Sequence, residues 1–182
     1  MKKTSLSHPI RIAAISAGPD LGRVGITFCP GKYDPHAMGG SWDRDLSLDL
    51  DAIQFWGAAA VVTLVETHEL FLLRVEQLGE EVGRRGMSWF HLPITDVSIP
   101  DKGFERQWVT AGDPLRHLLR SGRDVLVHCR GGLGRAGMIA ARLLIELGME
   151  PSSAIRCVRT VRPGAIETPE QESYVLAIGT KQ

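Results

Sequence analysis

Residues 128–137 read HCRGGLGRAG, which places Cys129 and Arg135 at the two ends of a short stretch whose five intervening residues include Gly131, Gly132 and Gly134. A thiol and a guanidinium at that spacing suit one task in particular, holding and attacking a tetrahedral anion. Glycines allow the backbone angles that turn successive N–H groups inward into an anion nest. Arg135 adds a planar fork of donors matched to two phosphate oxygens. A thiolate is the reactive form of cysteine, and cationic neighbours and helix N-termini favour it. The residues therefore point to displacement at phosphorus with sulfur as nucleophile, and the loop donors steady the charge on the equatorial oxygens.

Such a cradle needs a strand to deliver it and a helix to follow. Residues 124–127, DVLV, are apolar enough for a buried strand, and residues 138–147, MIAARLLIEL, read as a helix apolar nearly all round. The N-terminus of that helix supplies unpaired amides and partial positive charge. A thiol lying buried after a strand with no chemistry to do is the plainer reading of Cys129. The strand, the glycines and the helix together argue against it.

HCRGGLGR resembles the HCxxGxxR loop of the cysteine-dependent protein phosphatases. With GAIET further on, the chain is most similar to dual-specificity phosphatases of the kinase-associated type. That resemblance spans roughly residues 50–178. It implies a metal-independent protein-tyrosine or dual-specificity phosphatase with Cys129 as nucleophile and Arg135 as phosphate clamp. The loop residues Arg130, Gly131, Gly132, Leu133 and Gly134 would bind substrate, and no cofactor is called for. Phosphotyrosine and phosphoserine/threonine proteins or peptides are the implied substrates and partners. Inositol lipids or RNA 5′ ends are the alternative, favoured only by Arg130, which points to the mouth of any such loop. A phosphate-binding module with little turnover is the third reading.

Leaving-group departure requires a proton donor. In LPITDVSIPD the segment matches the superfamily's acid loop, with Asp96 as general acid and then general base. Asp101 stands directly before a helical stretch and reads better as its cap. In RPGAIETPEQESY, Glu167 stands where relatives carry a glutamine that positions water, and Gln171 matches their second glutamine and is the expected carrier of that task. Ala136 stands where the superfamily has a hydroxyl that eases departure of the thiolate. Attack should survive and phosphoenzyme hydrolysis should be slow, so stopped-flow mixing is expected to show a burst followed by a slower phase. A single phase with no burst would contradict that expectation.

Composition is ordinary for a globular chain of 182 residues: 43% hydrophobic, 23% charged, with 21 basic and 21 acidic residues in balance. Bulk charge gives no argument for nucleic acid. No apolar run reaches the ~20 residues of a membrane span. Cys29, Cys129 and Cys157 are widely spaced and odd in number, which fits a reducing cytoplasm rather than a disulfide framework. Cys29 as a redox partner of Cys129 is the sharper reading, and a buried strand-end thiol the plainer one.

Residues 1–182 read as one domain. Strands are expected at 10–16, 24–29, 59–65, 87–92 and 124–128, and helices at 47–57, 68–74, 76–84, 104–120, 138–147, 151–161 and 169–178. Their alternation argues for an α/β architecture with a largely parallel central sheet flanked by helices on both faces, the phosphate loop lying between a strand and a buried helix. A ligand then sits at the carboxyl ends of the strands. His128 is expected to support the loop from behind. Arg156, Arg159 and Arg162 are expected on a solvated helix face. Tyr33, Trp42 and Asp43, on the first long loop, are candidates for a wall of the site.

Overall fold

The computed structural model describes residues 2–37 and 39–179. Its central sheet takes the order β1 (Ala13–Ser16), β2 (Arg23–Phe28), β7 (Asp124–Cys129), β5 (Ala58–Thr63), β6 (Ser88–His91). β1 is antiparallel to β2, and every other neighbour pair is parallel. A two-residue ladder, β3 (Tyr33–Asp34) with β4 (Trp42–Asp43), stands apart from the sheet. The sequence pattern gave no sign of that ladder.

β7 has a parallel partner on each side and is apolar on both faces, as a central parallel strand must be. Its side chains alternate between two cores. Val125, Val127 and Cys129 face one layer, formed with α4 (Lys102–Arg120), α5 (Gly134–Glu146), α6 (Pro151–Val161) and α7 (Pro169–Ile178). Leu126 faces the other, beside α1 (Leu46–Trp56), α2 (Thr67–Leu72) and α3 (Leu78–Arg84). Register sets Cys129 beside Phe28 on β2, with His128 beside Thr63 on β5.

Local chemistry explains where the elements stop. Asp45 caps α1, accepting from Leu48 N, and Gly57 closes it at φ 104°. Asp101 caps α4 by accepting from Phe104 N at 2.7 Å, as read from its position. Thr168 caps α7 and Pro169 occupies its first turn. Buried residues ring α5 almost completely, so its N-terminus is held at the end of β7 by packing on every side.

Candidate active site

Cys129 ends β7 at the floor of a cleft of about 530 Å³. The segment from Arg130 to Leu133 loops over it into α5. Gly132 N donates to Cys129 Sγ at 3.3 Å, so an amide of the loop already faces the sulfur. Only glycine fits at that position: φ is +69°, and a Cβ would lie 2.5 Å from the Thr27 carbonyl of the neighbouring strand.

The carbonyls of the loop are tied down on the opposite side. Arg130 O accepts from Lys32 Nζ at 3.2 Å and from Cys29 N at 3.3 Å. Gly132 O and Gly131 O accept from Nε and Nη2 of Arg162, both at 2.9 Å. The expectation of a solvated arginine face on α6 is thus corrected. Arg162 grips the loop, and Arg159 donates to the carbonyls of Ala165 and Ile166. Both reach back-folded chain that helical periodicity cannot show. Arg156 alone stays local, bonding Ser152 and Ser153.

Arg135 lies on the first turn of α5 and is 2% exposed. Its guanidinium pairs with both oxygens of Glu69 at 2.6 and 2.9 Å, and donates to Ile94 O at 3.0 Å. Burial alone would raise the Glu69 carboxyl, but the Arg135 hydrogen bonds hold it below its ordinary value. Glu69 also closes a capping box on α2, accepting from Glu66 N at 2.8 Å. A fixed carboxylate therefore sets the guanidinium fork. Sequence reasoning missed Glu69 as a site residue; the only local signal was a pair of acids three apart at a helix start.

Asp96 meets Arg135 Nη2 at 2.8 Å while half its side chain remains in solvent. Val97, next to it, and Ile166, next to Glu167, hold left-handed backbone at φ 58° and 57°. β-branched residues are rare there, and such strain collects in segments flanking sites. Both flank this cleft.

Gln171, expected to serve the second step, is fully buried, with Oε1 accepting from Glu167 N at 2.8 Å and Nε2 donating to Ser98 O at 3.4 Å. It ties the acid loop to the segment before α7. Glu167 is the one that lines the cleft, and its Oε2 accepts from Gly134 N at 2.9 Å. A carboxylate thus occupies an amide of the cradle.

Arg130, Gly131 and Leu133 line the cleft together with Cys129, Arg135 and Asp96. Yet Arg130 gives Nε and Nη2 to Asp34, both at 3.0 Å, a fork-to-fork pair with a carboxylate that is itself buried. Trp42 lines the cleft, as proposed for the first long loop. Tyr33 instead lies under Arg74, 3.8 Å from its ring centre, and Asp43 pairs with Lys2. Cys29 is fully buried and burial pushes its thiol well up, which makes it a poor nucleophile.

His128 sits behind the loop, fully buried, with Nε2 at 2.8 Å from Thr63 Oγ1. Thr63 Oγ1 also accepts from Trp89 Nε1 at 2.8 Å. Burial, aided by the Arg135 charge, lowers the imidazole from 6.5 to about 3. The folded state therefore binds this proton less readily than the unfolded chain. Stability is complete above pH 6.5 and drains away as pH falls towards 3. Between pH 7 and 4.5 the loss from this group is about 2–3 kcal/mol. Urea unfolding at the two pH values measures it, and His128→Gln should flatten that part of the slope.

Residues 44–175 match the family model PTP-SAK, the Swiss Army Knife DSP-PTPase phosphatase domain. The chain belongs to the DSP-PTPase phosphatase family. Rat cyclin-dependent kinase inhibitor 3 is 34% identical over 135 residues, which cover 72% of this chain and 62% of the relative. This DSP-PTPase domain thus spans less than two thirds of that relative's length. Human protein tyrosine phosphatase type IVA 3 is 31% identical over 138 residues, covering 75% of this chain and 73% of its own length. A crystal structure of kinase-associated phosphatase, with its catalytic-site cysteine changed to serine, superposes at TM-score 0.81 and 28% identity. It covers 95% of this chain and 96% of that one. Tk-PTP in its active form gives 0.69 at 29% identity, covering 93% and 98%. The α/β fold, with its mostly parallel sheet between helical layers, is the phosphatase fold of these neighbours. The wall of the cleft built by Phe28, Lys32, Asp34, His36 and Trp42 lies outside the matched span of the family model.

Proposed function

We propose that the chain hydrolyses phosphomonoesters on protein side chains through a cysteinyl-phosphate intermediate. The Cys129 thiolate attacks phosphorus, the P–O bond to the side chain breaks, and Asp96 gives its proton to the departing oxygen. Water then displaces sulfur from phosphorus while Asp96 takes the proton back, releasing inorganic phosphate and restoring the thiolate. Arg135 and the amides from Arg130 to Arg135 hold the equatorial oxygens in both steps.

One observation carries this reading: a cleft whose floor is Cys129 also holds Arg135, set by buried Glu69, with Asp96 2.8 Å from that guanidinium. The general acid and the phosphate clamp thus start in contact beside the nucleophile. In this reading Glu167, on the Gly134 amide, takes the water-handling place first given to Gln171. An incoming dianion must displace its carboxylate from that amide.

Asp96→Ala is expected to cut turnover by about 10²-fold for an alkyl phosphate and far less for para-nitrophenyl phosphate, whose leaving group departs without help. Equal losses on both would remove Asp96 from the acid role. A phosphopeptide panel with Cys129→Ser as a trap tests the substrate class and separates tyrosine from serine/threonine preference. Inositol lipids and RNA 5′ ends lose their support, since the Arg130 fork that favoured them is paired with Asp34. A reducing compartment such as the cytoplasm suits a chemistry that depends on a free thiol, and Cys29, Cys129 and Cys157 are all unpaired. No helix among the described residues is long and apolar enough to cross a membrane.

A further inference from the structure

Lys32 lies in the turn that follows β2, is 5% exposed, and lines the cleft with Cys129. Its Nζ sits 5.2 Å from the ring centres of both Phe28 and Trp42. Burial pushes its ammonium down from the ordinary lysine value, with Asp34 and the two nearby thiols pulling it back. An ammonium is costly to bury without a strong partner. Asp34 acts on it by charge, while both Asp34 oxygens take hydrogen bonds from Arg130. Lys32 donates instead to the carbonyl of Arg130, the first residue after the nucleophile.

The turn carrying Lys32 is itself fixed from below. Gly31 N donates to Asp49 Oδ2 at 2.9 Å, and Asp49 is locked by the buried Arg44 guanidinium at 2.8 Å through both oxygens. Gly31 has φ +70° and stands so close to Leu46 that a Cβ would lie 2.6 Å from the leucine Cβ. This scaffold delivers one cation to one carbonyl.

A trans peptide is planar, with its C=O and N–H pointing opposite ways. Pulling the Arg130 carbonyl towards Lys32 therefore turns the Gly131 N–H in the opposite sense. Arg162 does the same for the next two peptides through Gly131 O and Gly132 O. The Gly132 N–H that results meets Cys129 Sγ.

We propose that Lys32, which lies outside the HCxxGxxR motif, is a positioning residue of the site: held on the Arg130 carbonyl, it aims the first amides of the loop at the bound oxyanion. The proposal rests on the phosphatase reading only for what the anion is, and not for whether the loop binds one. Lys32→Met keeps the stem against Phe28 and Trp42 and removes the donor.

Tungstate affinity, read by calorimetric titration, is expected to fall about tenfold in Lys32→Met and to recover most of that in Lys32→Arg. For para-nitrophenyl phosphate kcat/KM should fall by a similar factor. Lys102→Met, at the exposed start of α4, is the control and should match the wild type. Equal tungstate affinity in Lys32→Met and the wild type overturns the proposal. If Lys32→Met does not fold, Lys32→Gln and Lys32→Arg decide it. A loss in the first with retention in the second supports the role, and wild-type affinity in both overturns it. A wild type that binds tungstate but never turns over substrate would sink the phosphatase reading and leave the titration to judge Lys32 alone.

Discussion

Cys129→Ser is expected to lower phosphate release from any substrate by at least ~10⁴-fold, the scale lost when an activated nucleophile is removed. A hydroxyl in the same place stays protonated near neutral pH, so the cleft keeps its donors and loses its attacking group. Oxyanion affinity should change little, because Gly132 N, the Arg135 fork and the helix start are untouched. Stability should hold as well, for one atom is exchanged at a site already 3% exposed. Steady-state release of phosphate together with tungstate titration of the same sample checks both halves. A serine variant with substantial turnover would mean that sulfur does not attack.

Arg135→Met carries the second large effect, in two currencies. Turnover should drop by about 10³-fold, as expected when a preorganised donor of the transition-state oxygens is lost. The fold should suffer too. Glu69 would remain buried with its bidentate partner gone, and an orphaned charge of that kind costs about 3–5 kcal/mol. The two losses separate in a double variant. Arg135→Met with Glu69→Leu removes both charges, so urea unfolding should recover most of the lost stability, short of the Glu69 cap bond to Glu66 N, while turnover stays low. If stability and turnover recover together, the guanidinium acts only as a structural brace. Glu69→Gln alone should weaken turnover less than Arg135→Met, since the amide still accepts one of the two bonds.

Much of this arrangement was readable before any coordinates. The 124–147 stretch is legible because its signals are local: an unbroken apolar run, three glycines in five residues, then apolar residues on every face of a helix. Asp101 as a cap, the αL glycine after α1 and the start of α7 at Thr168 and Pro169 follow from rules that operate within one turn. What stayed hidden depends on partners far away in the chain. Lys32 and Arg130 are 98 residues apart, and Glu69 and Arg135 are 66. A lysine in a glycine- and proline-rich loop and an acid in a short helix have no periodicity that betrays such a meeting. Arg162 misled for a different reason. Spacing by threes implied a common face, but α6 ends at Val161, and Arg162, just past its end in non-helical backbone, turns back to the loop. The placement of Glu167 at the cleft and of Gln171 beneath it follows a left-handed residue at Ile166, which no local pattern announces.

Cys129, the proposed nucleophile, is the last residue of a strand that has parallel neighbours on both sides and a helical layer above and below. A thiol so placed shares the fate of the interior. Fraying at the rim, at β1 or at β6, leaves it seated, and only collapse of the whole globule unseats it. Reactivity and integrity in this molecule are therefore tied together: a change to the walls that choose a guest leaves the post to which it is bound in its seat.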